Sequence, residues 1–416
     1  MTETHMPKDK GLDHTLKLLD EGYRFVTNRS DKFESRVFET RLLGEKTICM
    51  VGEKEAELFY DNAKFSRKDA SPGRIQKTLF GEGGVQGLDG ADHHHRKAMF
   101  MSLMTEERLN EMSAIIREEW EQEMKHNSKE EIQVYQAAKY VLTKSALRWT
   151  GVPYEQEEDI PEWADQLSDM FEDAGAVGWS HWQARQSRSK AEERITGLVE
   201  RVRENTAEEV RKDSAVYHFA IHRDVNEELL DASVVAVELL NLLRPIVAIA
   251  VYIDFVLLAV HDYPEEAEKL KTEEDLHRFI QEVRRFYPFF PVAPARVKAD
   301  FTWGEYTFKE GTLTLLDLYG TNHDPVIWEQ PDRFQPERFQ GWKESPFNFI
   351  PQGGGEFDIG HRCAGEWMTM DVLKTTLDFF VNHLSFTFIE QDLDYEMNEI
   401  PPVPESGVII EGVQLK

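Results

Sequence analysis

FIPQGGGEFDIGHRCAGEWMTMDVLKTTLDFF, residues 349–380, is the stretch on which the fold turns. Three consecutive glycines let a backbone pass close to something flat or bulky. Cys363 stands just before a run that predicts a helix from near Gly365. A helix N-terminus and its amides lower a thiol pKa and favour thiolate, the form that ligates iron. An inert buried cysteine fits these residues equally well. The only other cysteine, Cys49, lies in a strand-like stretch and is expected to be inert; two cysteines make no disulfide framework and suit a reducing compartment.

Upstream lies the most apolar segment, VVAVELLNLLRPIVAIAVYIDFVLLAV, residues 234–260. It is long enough for a bilayer, but Glu238, Asn241, Arg244, Pro245 and Asp254 argue against a membrane span. The pattern predicts a long helix through the centre of a globular protein, with Pro245 disturbing it. Arg244 would be buried there, and its helical neighbours Leu240, Asn241, Val247 and Ala248 offer no counter-ion. Either a distant acid pairs with it, or it is an anion receptor that clamps a substrate carboxylate in an apolar pocket.

Further out, helical texture covers 103–124, 132–150, 160–174, 186–211 and 264–286. Residues 42–51 read as a hairpin-like strand stretch, 297–319 as a second β patch with turns at Gly304 and Gly311, and 384–389 and 407–414 as strands. No Pro/Gly/Ser linker divides the chain, so one domain over 1–416, mainly α, is expected. The net charge of −29 excludes nucleic acid and anionic lipid as natural partners. The first thirty residues hold no signal-like apolar stretch, and a cytoplasmic protein is expected.

The cysteine stretch, with its Cys363-Ala364-Gly365 core, resembles the ligand loop of the cytochrome P-450 heme-thiolate enzymes. Glu282 and Arg285 resemble the Glu-x-x-Arg of that superfamily. HDPVIWEQPDRFQPERF, 323–339, resembles its meander, with Arg338 as the third ionic partner. Two departures narrow the likeness. The usual central acid–alcohol pair is replaced by Asn241-Leu242-Leu243-Arg244-Pro245. In the cysteine loop, Gly360 stands three residues before Cys363, and Ile359 occupies the position four before it. Both departures, with KGLDHTL (10–16) and LFGEGGVQGLDG (79–90), resemble the bacterial fatty-acid peroxygenases and their alkene-forming decarboxylase members.

That resemblance implies a cytochrome P-450 fold: an α-helical prism with small sheets and heme b between the central helix and Cys363, its axial ligand. It implies long-chain fatty acid and hydrogen peroxide as substrates, with no redox partner required. Arg244 and Pro245 would hold the substrate carboxylate, which would move the proton that peroxide cleavage needs. The pinned carboxylate would bring only the α and β carbons to the reacting centre. Gln86 falls at the distal position, where glutamine goes with hydroxylation and histidine with decarboxylation. Mainly β-hydroxylation is expected, with some α product and minor terminal alkene. Phe80, Phe289 and Phe290 match positions bordering substrate. His93, Lys97, His361, Arg67 and Arg296 are candidates for the heme propionates. Glu282, Arg285 and Arg338 would be structural. Three rivals stand beside this reading: a fatty-acid monooxygenase fed electrons by a reductase, a predominantly decarboxylating family member, and a binder of heme or fatty acid without turnover.

Overall fold

The helix Ala232–Asp262 forms the axis of the molecule in a computed structural model that describes residues 6–127, 130–154, 156–174 and 179–416. Among the described residues it alone is long and apolar enough to cross a membrane, yet 94% of its most apolar window is buried inside the fold. Helices Val134–Thr150, Ile160–Glu172, Trp179–Arg203 and Glu366–Asp378 pack around it. Packing on every side explains why Pro245, expected to disturb this helix, does not end it. Trp149 and Trp163 of that bundle are fully buried, as is Trp120 of the neighbouring helix Glu106–His126, whose indole donates to Thr376 Oγ1 at 3.1 Å.

A smaller lobe is built on a five-stranded sheet. Its strands are β1 (Val37–Leu42), β2 (Glu45–Met50), β3 (Phe65–Ser66), β5 (Val292–Val297) and β8 (Leu313–Asp317), in the order β1-β2-β8-β5-β3. The β1–β2 turn places Leu43 at φ +51° and Gly44 at φ +78°, the left-handed pair that a tight hairpin needs. β4 (Ile132–Gln133), β9 (Leu384–Phe388) and β10 (Ile409–Leu415) form a second sheet, and β6 (Phe301–Trp303) with β7 (Tyr306–Phe308) a two-stranded ribbon. Cys49, in β2, is fully buried, and burial pushes its thiol up, away from reactivity.

Several boundaries depart from the sequence reading, each for a local reason. The helix expected over 186–211 stops at Arg203, because Asn205 takes φ +57° and the Thr206 amide turns back to the Arg201 carbonyl. The helix expected over 264–286 splits, because Thr272 and Asp275 form a reciprocal cap that starts a new helix, Glu273–Phe286. The β patch expected from 297 begins at Val292, hidden by neighbouring prolines. It ends at Asp317, whose carboxylate caps the short helix Leu318–Asn322. Of the single unit expected over 1–416, residues 1–5, 128–129, 155 and 175–178 lie outside the described residues.

Asp254, low on the central helix, is fully buried, accepts from the Val408 amide at 3.1 Å, and keeps Oδ2 without a partner. Burial raises its pKa to about 7. The folded state therefore holds a proton that the unfolded chain releases near pH 4, so this group's contribution to stability falls as pH rises from about 4 to about 7. An Asp254→Asn variant is expected to gain stability over the parent on going from about pH 5 to about pH 8, by roughly 2–3 kcal/mol. Thermal melts at the two pH values check it; a pH-independent difference would contradict it.

Candidate active site

A cavity opens where the middle of the central helix faces the cysteine loop, closed laterally by residues 80–97 and by the Phe289–Pro294 segment. Arg244, Pro245, Gln86, Phe80, Phe289 and Phe290 line it, as do Cys363, His93, Lys97, His361 and Arg67. Eleven residues proposed from sequence thus meet in one space, although they come from distant parts of the chain. Phe289 is stacked on Tyr252, ring centroids 4.2 Å apart, and its carbonyl accepts from the Tyr23 hydroxyl.

Arg296 does not join them. Its guanidinium points away to Glu45 at 3.1 Å and to the carbonyls of Asp69 and Gly311, and it contributes nothing to the cavity. The cause is its register in β5, opposite Leu313 on one side and Ser66 on the other.

Arg244 is 5% exposed, and among the described residues no acceptor or acid reaches its guanidinium; Nε is buried without a partner. The distant acid left open by the sequence is absent from its surroundings. Burial, and after it the nearby Arg188, draw the Arg244 pKa down to about 9. An uncompensated buried cation is costly unless something anionic arrives. Arg188, from the helix Trp179–Arg203, is itself committed: it holds the Thr78 and Leu79 carbonyls at 3.1 and 3.0 Å and pairs with Glu192 at 2.7 Å. It thereby ties down the turn that ends in Phe80.

The cysteine loop is shaped by its glycines. Gly353 and Gly355 take φ +90° and +83°, and a Cβ on Gly354 would lie 2.6 Å from the Pro346 carbonyl oxygen and 3.0 Å from the Tyr60 ring. The loop thus wraps Tyr60 where only glycine fits. Behind it lies a buried ionic cluster. Arg284 donates to Glu366 at 2.5 Å and to Gln352 at 3.0 Å; Arg362 donates to Glu366 at 2.5 Å and also pairs with Glu344. Glu282 and Arg285, both fully buried, are joined at 2.7 Å, and Arg338 adds a contact to Glu282 at 3.1 Å. Arg285 also binds the Asn322 and Pro331 carbonyls, and Asn322 Oδ1 accepts from the Ile350 amide at the start of the loop.

Two expectations about this side are corrected. The Cys363 thiol pKa is raised, not lowered: burial comes first and Glu366 adds to it, outweighing the Gly365 amide, Lys97 and Arg284. Thiolate here needs a metal cation rather than the helix end alone. Lys97, expected to reach an anion of the cofactor, spends its ammonium on the Gly360 and Arg362 carbonyls, both at 2.6 Å. It braces the loop before the cysteine.

The residues present fit a flat, anionic iron tetrapyrrole. Cys363 supplies sulfur on one side. Arg67, stacked 4.2 Å over Phe59, keeps a buried Nη1 without an acceptor, which is what a carboxylate of such a ring would use. His93 and His361 lie ring to ring at 3.9 Å; burial lowers their pKa values to about 3 and about 4, so they face the cavity neutral.

The sequence reading missed a further cluster. Arg96 pairs with fully buried Glu238 at 2.7 Å, Asn241 donates to Glu238 at 3.2 Å, and Asn241 donates to Gln86 Oε1 at 3.1 Å. Residues 238, 241 and 244 form a polar stripe on an otherwise apolar helix, a signal legible in the sequence. Arg284 and Glu366 were also missed, since nothing local links them.

Comparison with known proteins now supplies the family. The cytochrome P450 family model matches residues 15–407. Cytochrome P450EX alpha with myristic acid is 49% identical, with a TM-score of 0.95 and 99% of each chain covered. Cytochrome P450SP alpha in complex with (R)-ibuprophen is 40% identical, with a TM-score of 0.93 over 97% of this chain and 100% of that one. A phenylalanine-to-alanine variant of cytochrome P450 OleT in complex with arachidonic acid is 36% identical, with a TM-score of 0.95 and 99% of each chain covered. With Cys363 and Arg244 facing one cavity and these relatives matching end to end, the chain belongs to the cytochrome P450 family of heme-b oxidoreductases, alongside the fatty-acid peroxygenases that its sequence resembles.

Proposed function

We propose that this protein hydroxylates long-chain fatty acids at the β carbon, and to a lesser extent the α carbon, with hydrogen peroxide as oxidant and a minor terminal alkene product. The observation that carries the reading is the unpaired, buried Arg244 guanidinium in an apolar cavity shared with Cys363. Each of the three relatives named above was solved with a carboxylic acid.

Heme b, held by Cys363 with Arg67, His93 and His361 toward its carboxylates, supplies peroxide cleavage and oxygen transfer when bound. The chain's own residues do the rest. Arg244 offers a forked donor to the substrate carboxylate, in surroundings where that ion pair is strong. None of the three acids of the central helix can serve as the proton carrier: Glu238 is taken by Arg96 and Asn241, Asp254 lies outside the cavity at the Val408 amide, and Asp262 sits at the exposed end of the helix beside His261. The carboxylate on Arg244 fills that role as general acid–base. Pinning it also fixes regiochemistry, because only the first carbons of the chain then reach the reacting centre. Phe80, Phe289 and Phe290 bound the space that the hydrocarbon occupies. The enzyme is cytoplasmic and needs no redox partner.

Myristic acid should be converted and its methyl ester should not, because the ester offers Arg244 no anion. Equal conversion of the two would sink the carboxylate argument. Gln86 can donate a hydrogen bond but not a proton. A Gln86→His variant is therefore expected to raise the alkene fraction severalfold, read by gas chromatography; an unchanged fraction would contradict the role given to this position.

A further inference from the structure

The buried chain Arg96–Glu238–Asn241–Gln86 has a direction. Glu238 accepts from Arg96 through Oε1 at 2.7 Å and from Asn241 Nδ2 through Oε2 at 3.2 Å, and it also takes the Val85 amide. A carboxylate only accepts, so Asn241 must turn its NH2 toward Glu238. The second hydrogen of that NH2 goes to Gln86 Oε1 at 3.1 Å. The Gln86 oxygen is thus held on Asn241, and its NH2, without a partner among the described residues, is the end left for the cavity that Gln86 lines. Gly84 makes room for this: a Cβ there would sit 2.8 Å from Asn241 Nδ2 and 3.1 Å from Gln86 Oε1. The Val85 contact ties the turn that carries Gln86 to the same carboxylate.

We propose that Glu238, anchored by Arg96, acts through Asn241 as a positioning device that makes Gln86 an obligate hydrogen-bond donor to any anionic or oxygen ligand entering the cavity. Asn241 and Glu238 are positioning residues; Gln86 is the group that touches the ligand. This rests on the heme-thiolate reading of the cavity but not on peroxide being the oxidant.

The test is cyanide affinity of the ferric holoenzyme, followed by its Soret band. Cyanide is an anionic distal ligand whose binding requires no turnover. A donor to a charged acceptor is worth on the order of tenfold or more in affinity. Gln86→Leu should weaken cyanide binding about tenfold. Asn241→Ala and Gly84→Ala should each weaken it severalfold, the second by displacing Asn241 and Gln86 without removing a polar group. Asn241→Ala should add little on top of Gln86→Leu, because both remove one interaction. Wild-type cyanide affinity in Gln86→Leu or in Asn241→Ala would overturn the proposal, as would penalties that add in full. An Asn241→Ala protein that only melts earlier, with cyanide affinity intact, would show a structural role and overturn it too. Failure of peroxide-driven turnover would refute the proposed oxidant and leave this result standing.

Discussion

Replacing Arg244 with alanine is expected to leave a folded, heme-loaded protein that no longer binds or turns over fatty acids. The guanidinium holds no other part of the chain, since no acid or carbonyl among the described residues reaches it. Its removal deletes an unpaired buried charge, so the melting temperature of the ligand-free protein should be equal to or above that of the parent, the new cavity offsetting part of the gain. The substrate side is different. A desolvated carboxylate left without its partner loses about 3–5 kcal/mol, or roughly two to four orders of magnitude in affinity. Turnover loses in addition the acid–base role of the carboxylate, worth about 10²–10⁴. Fatty-acid titration of the heme spectrum reads the first loss and product formation the second. A Lys replacement keeps the charge but not the fork, and should recover binding only in part. Full activity in the alanine variant would remove the substrate-assisted argument.

Arg285→Ala is expected to do the opposite: little or no folded, heme-loaded protein. Arg285 is fully buried and holds both Glu282 oxygens and the carbonyls of Asn322, Pro331 and Arg333. Deleting it strands most of a buried carboxylate, for about 3–5 kcal/mol, and leaves three carbonyls to find new donors at about 1–3 kcal/mol each where water cannot reach. A total stability of about 5–15 kcal/mol does not absorb that sum. The damage travels to the site, because Asn322 also holds the Ile350 amide at the entrance of the cysteine loop. Soluble yield, circular dichroism and Soret absorbance per mole of protein measure it. A well-folded variant with full heme content would show that Arg338 alone can neutralise Glu282.

The contrast between these two arginines shows what the sequence could and could not tell. Arg244 was legible as a cation in an apolar run; Arg285 stood out only through the resemblance of its pair with Glu282 to the Glu-x-x-Arg of the cytochrome P-450 superfamily. The fold followed from the resemblance of the Cys363 loop, the Glu282/Arg285 pair and the 323–339 stretch, taken together, to the cytochrome P-450 superfamily; the glycines and cysteine alone left an inert thiol equally open. Lys97 and Arg296 were misjudged because a lone basic residue says nothing of where its chain points. One reaches the loop carbonyls, the other a strand edge. The thiol shift at Cys363 was misjudged because burial, with the charge of Glu366 three residues on added to it, outweighs the helix end. Arg96 and Glu238 escaped notice because 142 residues separate them; Glu238 was visible only as a charge in an apolar helix.

Product analysis of purified heme-loaded protein with myristic acid and hydrogen peroxide, without reductase or reduced nicotinamide, tests the central claim most directly. Hydroxymyristic acid bearing oxygen at the β carbon, with a smaller α fraction and a trace of terminal alkene, is the predicted result. Absence of product under those conditions, with product on adding ferredoxin, its reductase and NADPH, would contradict it and leave Arg244 as an anchor without a part in the chemistry.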